Sequence, residues 1–247
     1  MTLTRGEILR ELGLAPIWRL RRSALFGPLS QATGDAGIGS TVSELPSAHA
    51  DARRAHIASL AFDALVDDIA TCRACGLCRT RKTTVPGVGA IDAQWMFVGE
   101  APGADEDEKG EPFVGAAGQL LDNMLAALDL ARGREVFIAN VLKCRPPNNR
   151  APDPLEAAAC RPYLDRQIEL IAPDVIVALG KSAACTLLDI DAPVGSLRNR
   201  VHRYRGTPLV VTYHPAYLLR TPADKAKAWE DLLFARRTLR ETAQARG

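Results

Sequence analysis

No apolar run in this chain reaches the roughly 18 residues that a bilayer-spanning helix needs, and the opening stretch M-T-L-T-R-G-E-I-L-R is broken by charge where a secretory signal is continuously apolar. A membrane or exported protein is therefore not expected, and a reducing, cytoplasmic compartment is. Net charge is slight as well, +2 over 247 residues, too little to announce a polyanionic partner by itself. The glycine signatures of nucleotide binding are missing. No G-x-G-x-x-G occurs, and Leu179-Gly180-Lys181-Ser182 lacks the upstream glycine of a phosphate-binding loop, so dinucleotide and nucleoside triphosphate readings are set aside.

Cysteines are few, six in all, but they are placed suggestively. In a reducing compartment a disulfide framework is not expected, and clustered thiols more often ligate metal. Cys72 and Cys75 form C-R-A-C, which Cys78 extends to C-R-A-C-G-L-C, and Cys144 and Cys160 follow far downstream with 15 residues between them. Four thiolates suit zinc and iron–sulfur alike, so the ligand count alone leaves both open. Cys185 lies in an apolar helical stretch and reads as a small core residue. Charge is unevenly spread: Ser196 to Arg220 carries Arg198, Arg200, Arg203, Arg205 and Arg220 with no acidic residue, whereas Glu100 to Glu111 is strongly acidic. A basic run of this kind fits either a phosphate-contacting surface or a solvated loop.

Three regions follow one another. Residues 1–22 read as an amphipathic helix with Ile8, Leu9, Leu12, Leu14, Ile17 and Trp18 on its apolar positions. Residues 23–55 are rich in Gly, Ser, Ala and Pro without a sustained period and read as a flexible linker. A folded domain spans 56–243. In it the runs W-M-F-V-G from Trp95, V-F-I-A-N-V from Val136, V-I-V-A-L from Val175 and L-V-V-T-Y from Leu209 are nearly continuous apolar strands, the pattern of parallel strands covered on both faces. Helical segments near 116–130, 155–171, 181–188 and 223–242 alternate with them, and Asp153-Pro154 with Glu156 is a start signal for the second. The expected fold is α/β, a three-layer α/β/α sandwich around a central parallel sheet of about four strands.

Ligands of open α/β sheets bind beyond the carboxyl ends of the strands, where loops and helix N-termini meet. The first strand runs into Gly99-Glu100-Ala101-Pro102-Gly103, the second carries Asn140 near its end, and the fourth runs into His214-Pro215. Taken singly, Glu100 is as well explained as a cap, Asn140 as a partner of buried backbone and His214 as a turn residue. Their occurrence at equivalent ends of three strands points instead to one site, with Phe113 in G-E-P-F-V-G able to offer an aromatic face beside it.

With these residues in place, the chain resembles the family 4 uracil-DNA glycosylases, the iron–sulfur members of the uracil-DNA glycosylase superfamily. The matching segments are V-G-E-A-P-G-A-D-E-D at 98–107, G-E-P-F-V-G-A-A-G-Q-L-L at 110–121, I-A-N-V-L-K-C-R-P-P-N-N-R at 138–150 and H-P-A-Y-L-L-R at 214–220. The resemblance runs from about His56 to the last helix and leaves residues 1–55 unexplained.

It implies a monomeric enzyme that removes uracil from single- or double-stranded DNA in base excision repair. Backbone around Gly99, Glu100 and Ala101 would line the uracil pocket, Phe113 would stack on the base, Asn140 would read its edge, and His214 would donate to O2 as the N-glycosidic bond breaks. Leu218 and Leu219 would wedge the duplex and Arg220 would meet phosphate. Cys72, Cys75, Cys144 and Cys160 would hold a [4Fe–4S] cluster, with Cys78 the alternative ligand. Where family 1 enzymes carry a water-orienting Asp and a thymine-blocking Tyr, this chain has Ala101 and Gly103, which leaves Glu100, Glu106 and Asp107 as candidates for positioning water.

Two other readings are carried along. One is a superfamily relative of altered base specificity or one that traps uracil DNA covalently through a basic, His-containing loop, of which Arg200-Val201-His202-Arg203 is a superficial match. The other is a non-catalytic iron–sulfur DNA-binding or polymerase-associated module that uses the N-terminal helix to dock a protein partner. Deleting residues 1–55 separates docking from catalysis: uracil excision that survives the deletion places the segment outside the active site.

Overall fold

The computed structural model describes residues 45–244, so the helix expected at 1–22 and most of the expected linker lie outside the described residues. The part of that linker from residue 45 onward is helical. Helices α1 (Leu45–Ser59) and α2 (Phe62–Thr71) precede the sheet. The start of α1 has almost no apolar periodicity, and tertiary contacts supply what local pattern does not. Ile57 is buried, Arg53 donates through Nη1 to the Ala159 carbonyl at 2.9 Å, and its guanidinium lies 4.9 Å from the centre of the Tyr163 ring.

Beyond α2 come strands β1 (Val88–Gly89) and β2 (Trp95–Gly99), helices α3 (Ala104–Lys109) and α4 (Ala116–Ala126), and strand β3 (Val136–Asn140). Helix α5 (Pro154–Ile171), strand β4 (Val175–Leu179), helices α6 (Lys181–Leu188) and α7 (Val194–Leu197), strands β5 (His202–Tyr204) and β6 (Thr207–Thr212), and helices α8 (Pro215–Arg220) and α9 (Lys225–Gln244) complete the chain. Among the described residues no helix is long and apolar enough to cross a membrane.

The sheet has six strands in the order β1-β3-β2-β4-β6-β5, where about four were expected. The inner four are the expected parallel ones, and the two additions are short antiparallel edges of two and three residues, too brief to leave a period in the sequence. Alternation along each inner strand divides the core in two. Met96, Val98, Phe137 and Ala139 face one layer with Leu65, Ile69, Leu164 and Ile168 from α2 and α5. Trp95, Phe97, Val136 and Ile138 face the other with Leu121 and Leu125 from α4 and Leu232 from α9. Helices on both faces of a mostly parallel sheet make the three-layer α/β/α sandwich.

The parallel pairing of β2 with β3 sets Gly99 opposite Asn140 and continues past both strands, with the Val141 N–H donating to the Gly99 carbonyl at 3.0 Å and the Leu142 N–H to the Glu100 carbonyl at 3.1 Å. Arg53→Ala is expected to lower the unfolding free energy by about 1–2 kcal/mol, since a charge-assisted hydrogen bond and a cation–π contact are lost together. Denaturant melts of the two proteins measure this, and an unchanged midpoint would show that α1 is held without that contact.

Candidate active site

The carboxyl ends of β2, β3 and β6 bring Gly99, Asn140 and His214 to one edge of the sheet, and the loop between α3 and α4 delivers Phe113 to the same place. Gly99 is the point of closest packing. A Cβ there would lie 2.4 Å from Asn140 Oδ1 and 2.6 Å from Phe113 Cζ, so only glycine leaves room for both side chains. Asn140 is buried, and its Oδ1 is the one buried side-chain polar atom among the described residues without a hydrogen-bond partner. A buried acceptor left unpaired costs about 1–3 kcal/mol, which a ligand N–H in this pocket would recover.

His214 is the residue before α8 and caps it: Nδ1 accepts from the Ala216 N–H at 3.1 Å, with Pro215 in the first turn. An Nδ1 that accepts leaves the proton of the neutral ring on Nε2, as a donor. Burial, helped by the positive charge of Arg220 and opposed by Glu106, pushes the imidazole down to about 4. The ring lies 5.5 Å from the Phe113 ring, tilted by 31°. Phe113 itself is buried and has φ 57°, a left-handed conformation uncommon for a bulky side chain.

Glu100 is half-buried beyond β2. Burial raises its carboxyl above the usual carboxylate range, partly offset by a hydrogen bond from Ser182 at the start of α6. Glu106 and Asp107 are committed elsewhere. Glu106 accepts from the Gly103 N–H at 2.9 Å and from the Val114 N–H at 3.0 Å, and Asp107 is buried and accepts from the Lys82 N–H at 2.9 Å. Of the two leucines expected as a wedge, Leu218 is buried (1% exposed) and Leu219 is exposed (44%). Leu218 therefore belongs to the core, because its position on α8 faces inward, and Arg220 is exposed beside Leu219. His202 lies on edge strand β5 opposite Leu209 and donates from Nε2 to the Leu197 carbonyl at 2.9 Å, away from the end of β6 that carries His214.

A cavity elsewhere is lined by Cys72, Cys75, Cys78, Cys144 and Cys160 together with Arg81, Lys143 and Tyr163. Cys72 caps the end of α2, Cys75 precedes a short 3₁₀ turn at Gly76–Arg79, Cys144 follows β3 and Cys160 lies in α5. N–H groups point at the sulfurs: Arg81 Nη1 donates to Cys144 Sγ at 3.0 Å, the Lys143 backbone N–H to Cys160 Sγ at 3.3 Å and Arg53 Nη2 to Cys72 Sγ at 3.7 Å. Among the described residues no three His, Cys, Asp or Glu side chains converge on one point as ligands of a single ion would.

Sequence reasoning missed Lys143, which stands between the two sites. It is buried, and Nζ donates to the Asn140 carbonyl at 2.9 Å and to Gln167 Oε1 at 2.6 Å, while the Gln167 amide donates to the Pro86 carbonyl at 2.7 Å. A lysine one residue before Cys144 reads as a surface charge in the sequence, and nothing local reveals its burial.

The geometry defines an α/β protein whose sheet edge gathers an aromatic ring, an unpaired buried amide oxygen and an imidazole whose Nε2 carries the proton. Comparison with known proteins agrees. Residues 86–233 match the Uracil DNA glycosylase superfamily. A Type-4 uracil-DNA glycosylase of Archaeoglobus fulgidus is 48% identical over 169 residues, 65% of this chain and 84% of that relative. One from Pyrobaculum aerophilum is 46% identical over 172 residues, 66% and 87% of the two chains. A third, from Sulfurisphaera tokodaii, is 42% identical over 169 residues, 65% and 77%. The chain belongs to the type-4 uracil-DNA glycosylases of that superfamily.

The depressed His214 titration has a direct consequence. Between the ordinary histidine value near 6.5 and about 4 the unfolded chain binds a proton that the folded site refuses, so stability is expected to fall as pH drops through that window, by on the order of 3 kcal/mol in total. His214→Gln should flatten the slope. An identical pH profile in that variant would show that His214 is protonated as readily in the fold as in the open chain.

Proposed function

We propose that this chain hydrolyses the N-glycosidic bond of uracil in DNA, releasing free uracil and leaving an abasic site for base excision repair. The observation that carries the reading is the buried, unpaired Asn140 Oδ1 facing Gly99 and Phe113. Uracil, turned out of the stack, stacks on the Phe113 ring, with the backbone of Gly99, Glu100 and Ala101 forming the pocket wall. Its N3–H satisfies Asn140 Oδ1, and the Asn140 amide N–H donates to O4. Cytosine, with a bare N3 and an amino group at C4, leaves both mismatched, and that mismatch supplies the discrimination.

As the C1′–N1 bond breaks, its electron pair leaves with the base and negative charge gathers on O2. The His214 Nε2–H donates there, and a donor held ready in a buried site stabilises such charge strongly. A neutral imidazole suits the task, because it already carries the one proton the hydrogen bond needs. Water forms the new bond to C1′, and Glu100, whose partner is the Ser182 side chain while Glu106 and Asp107 are engaged with backbone, orients it and takes its proton. Leu219 fills the space the base vacates, and Arg220 meets the adjacent phosphate.

The cysteine cavity supports a [4Fe–4S] cluster held by Cys72, Cys75, Cys144 and Cys160. The thiols ring one cavity with N–H donors aimed at three of the sulfurs, as thiolate ligands of a metal centre require. Hydrolysis transfers no net electrons, so the cluster's contribution is to cross-link α2, the segment after β3 and α5.

Purified protein incubated with uracil-containing single- and double-stranded oligonucleotides, followed by alkali, is expected to give strand cleavage well above a His214→Ala control. Cleavage no greater than the control would sink the reading. Gly99→Ala, which pushes a methyl group into Asn140 and Phe113, should cost at least about a hundredfold in single-turnover rate. Cys144→Ala should lower iron content and thermal midpoint together, and unchanged iron would refute that ligand.

A further inference from the structure

Phe113 is the strained part of the pocket, and the groups that hold it are unusual in where they attach. A side chain's direction is set by the peptide planes on either side of its Cα, and both planes at Phe113 are gripped from outside the loop. Arg132, from the turn that joins α4 to β3, places Nη1 on the Pro112 carbonyl at 2.8 Å and Nη2 on the Phe113 carbonyl at 2.5 Å. Its Nε is anchored to Asp122 of α4 at 2.6 Å. From the opposite side Glu106 accepts from the Val114 N–H at 3.0 Å.

Gly118 completes the grip, since a Cβ there would lie 1.7 Å from the Phe113 carbonyl oxygen. One planar fork thus fixes the carbonyls before and after a residue at φ 57°. Lysine, a point donor, reproduces such a two-carbonyl bridge poorly.

We propose that Arg132 is a positioning residue for base recognition: by bridging the Pro112 and Phe113 carbonyls it holds the Phe113 ring in the left-handed conformation that faces His214. The inference rests on the reading of Phe113 as the face on which uracil stacks, but its first test does not. The rings of Phe113 and His214 are 5.5 Å apart, so the proton shifts of the His214 imidazole report the ring's place. In Arg132→Met those shifts are expected to move toward the values of Phe113→Ala, and in Arg132→Lys to fall between. A His214 spectrum unchanged from wild type in a folded Arg132→Met protein would overturn the assignment.

The second test is a double-mutant cycle in single-turnover uracil release. Arg132→Met is expected to lose about 10- to 100-fold with little change in affinity for abasic-site DNA, which presents no base to stack. In the Phe113→Ala background the same substitution should add almost nothing, because it acts through the ring already removed. Fully additive losses, or an equal loss on abasic-site DNA, would show that Arg132 serves overall folding or DNA binding. If the His214 shifts move while the wild-type protein releases no uracil, the glycosylase reading fails and the clamp stands.

Discussion

The parallel pairing of β2 with β3 is the constraint from which the rest follows. It sets Gly99 opposite Asn140 and carries the ladder beyond the strand ends through the Gly99 and Glu100 carbonyls. Because the two chains run together to the same edge, the residues that leave them diverge around one small space. Its size is decided by the absent Cβ of Gly99, against which both the Asn140 amide and the Phe113 ring close. An amide buried there without a partner is destabilising, and the fold tolerates it as sites that await a ligand do.

The same strand joins the pocket to the cysteine cavity. Asn140 and Cys144 are four residues apart, and Lys143 between them spans the gap, its ammonium on the Asn140 carbonyl and its backbone N–H on Cys160. A centre held by these thiols would fix the exit of β3 and hence the Asn140 amide at its end. The cysteine cavity and the Asn140 edge of the sheet are thus two ends of one short, buried segment.

Electrostatics in the pocket are arranged by burial more than by opposing charge. His214 is kept neutral by desolvation and by Arg220, and its tautomer is chosen by a helix cap. Glu100 is raised by burial and restrained by Ser182. The residues gripping the Phe113 loop, Glu106 and Arg132, spend their charge on backbone groups. Part of the charge of the acidic stretch thus builds the loop.

By itself the sequence determined the four inner parallel strands of the sheet. Apolar runs of five residues flanked by helical segments specify parallel strands because burial on both faces demands continuous hydrophobicity, and the carboxyl ends of such strands point to the edge where ligands of open α/β sheets bind. Short motifs carried the family in the same way. What only the tertiary structure decided concerns contacts between distant segments. The helix at Leu45–Ser59 has no strong local pattern and is held by packing on α5. Leu218 and Leu219, adjacent and alike in chemistry, are separated by which face of α8 each occupies. Glu106, Asp107, Lys143 and Arg132 read as surface charges until their backbone partners, as many as 25 residues away for Asp107, are brought to them. Periodicity is a local property and survives in the sequence, whereas the partner of a buried charge is set by folding, and no residue carries that information alone.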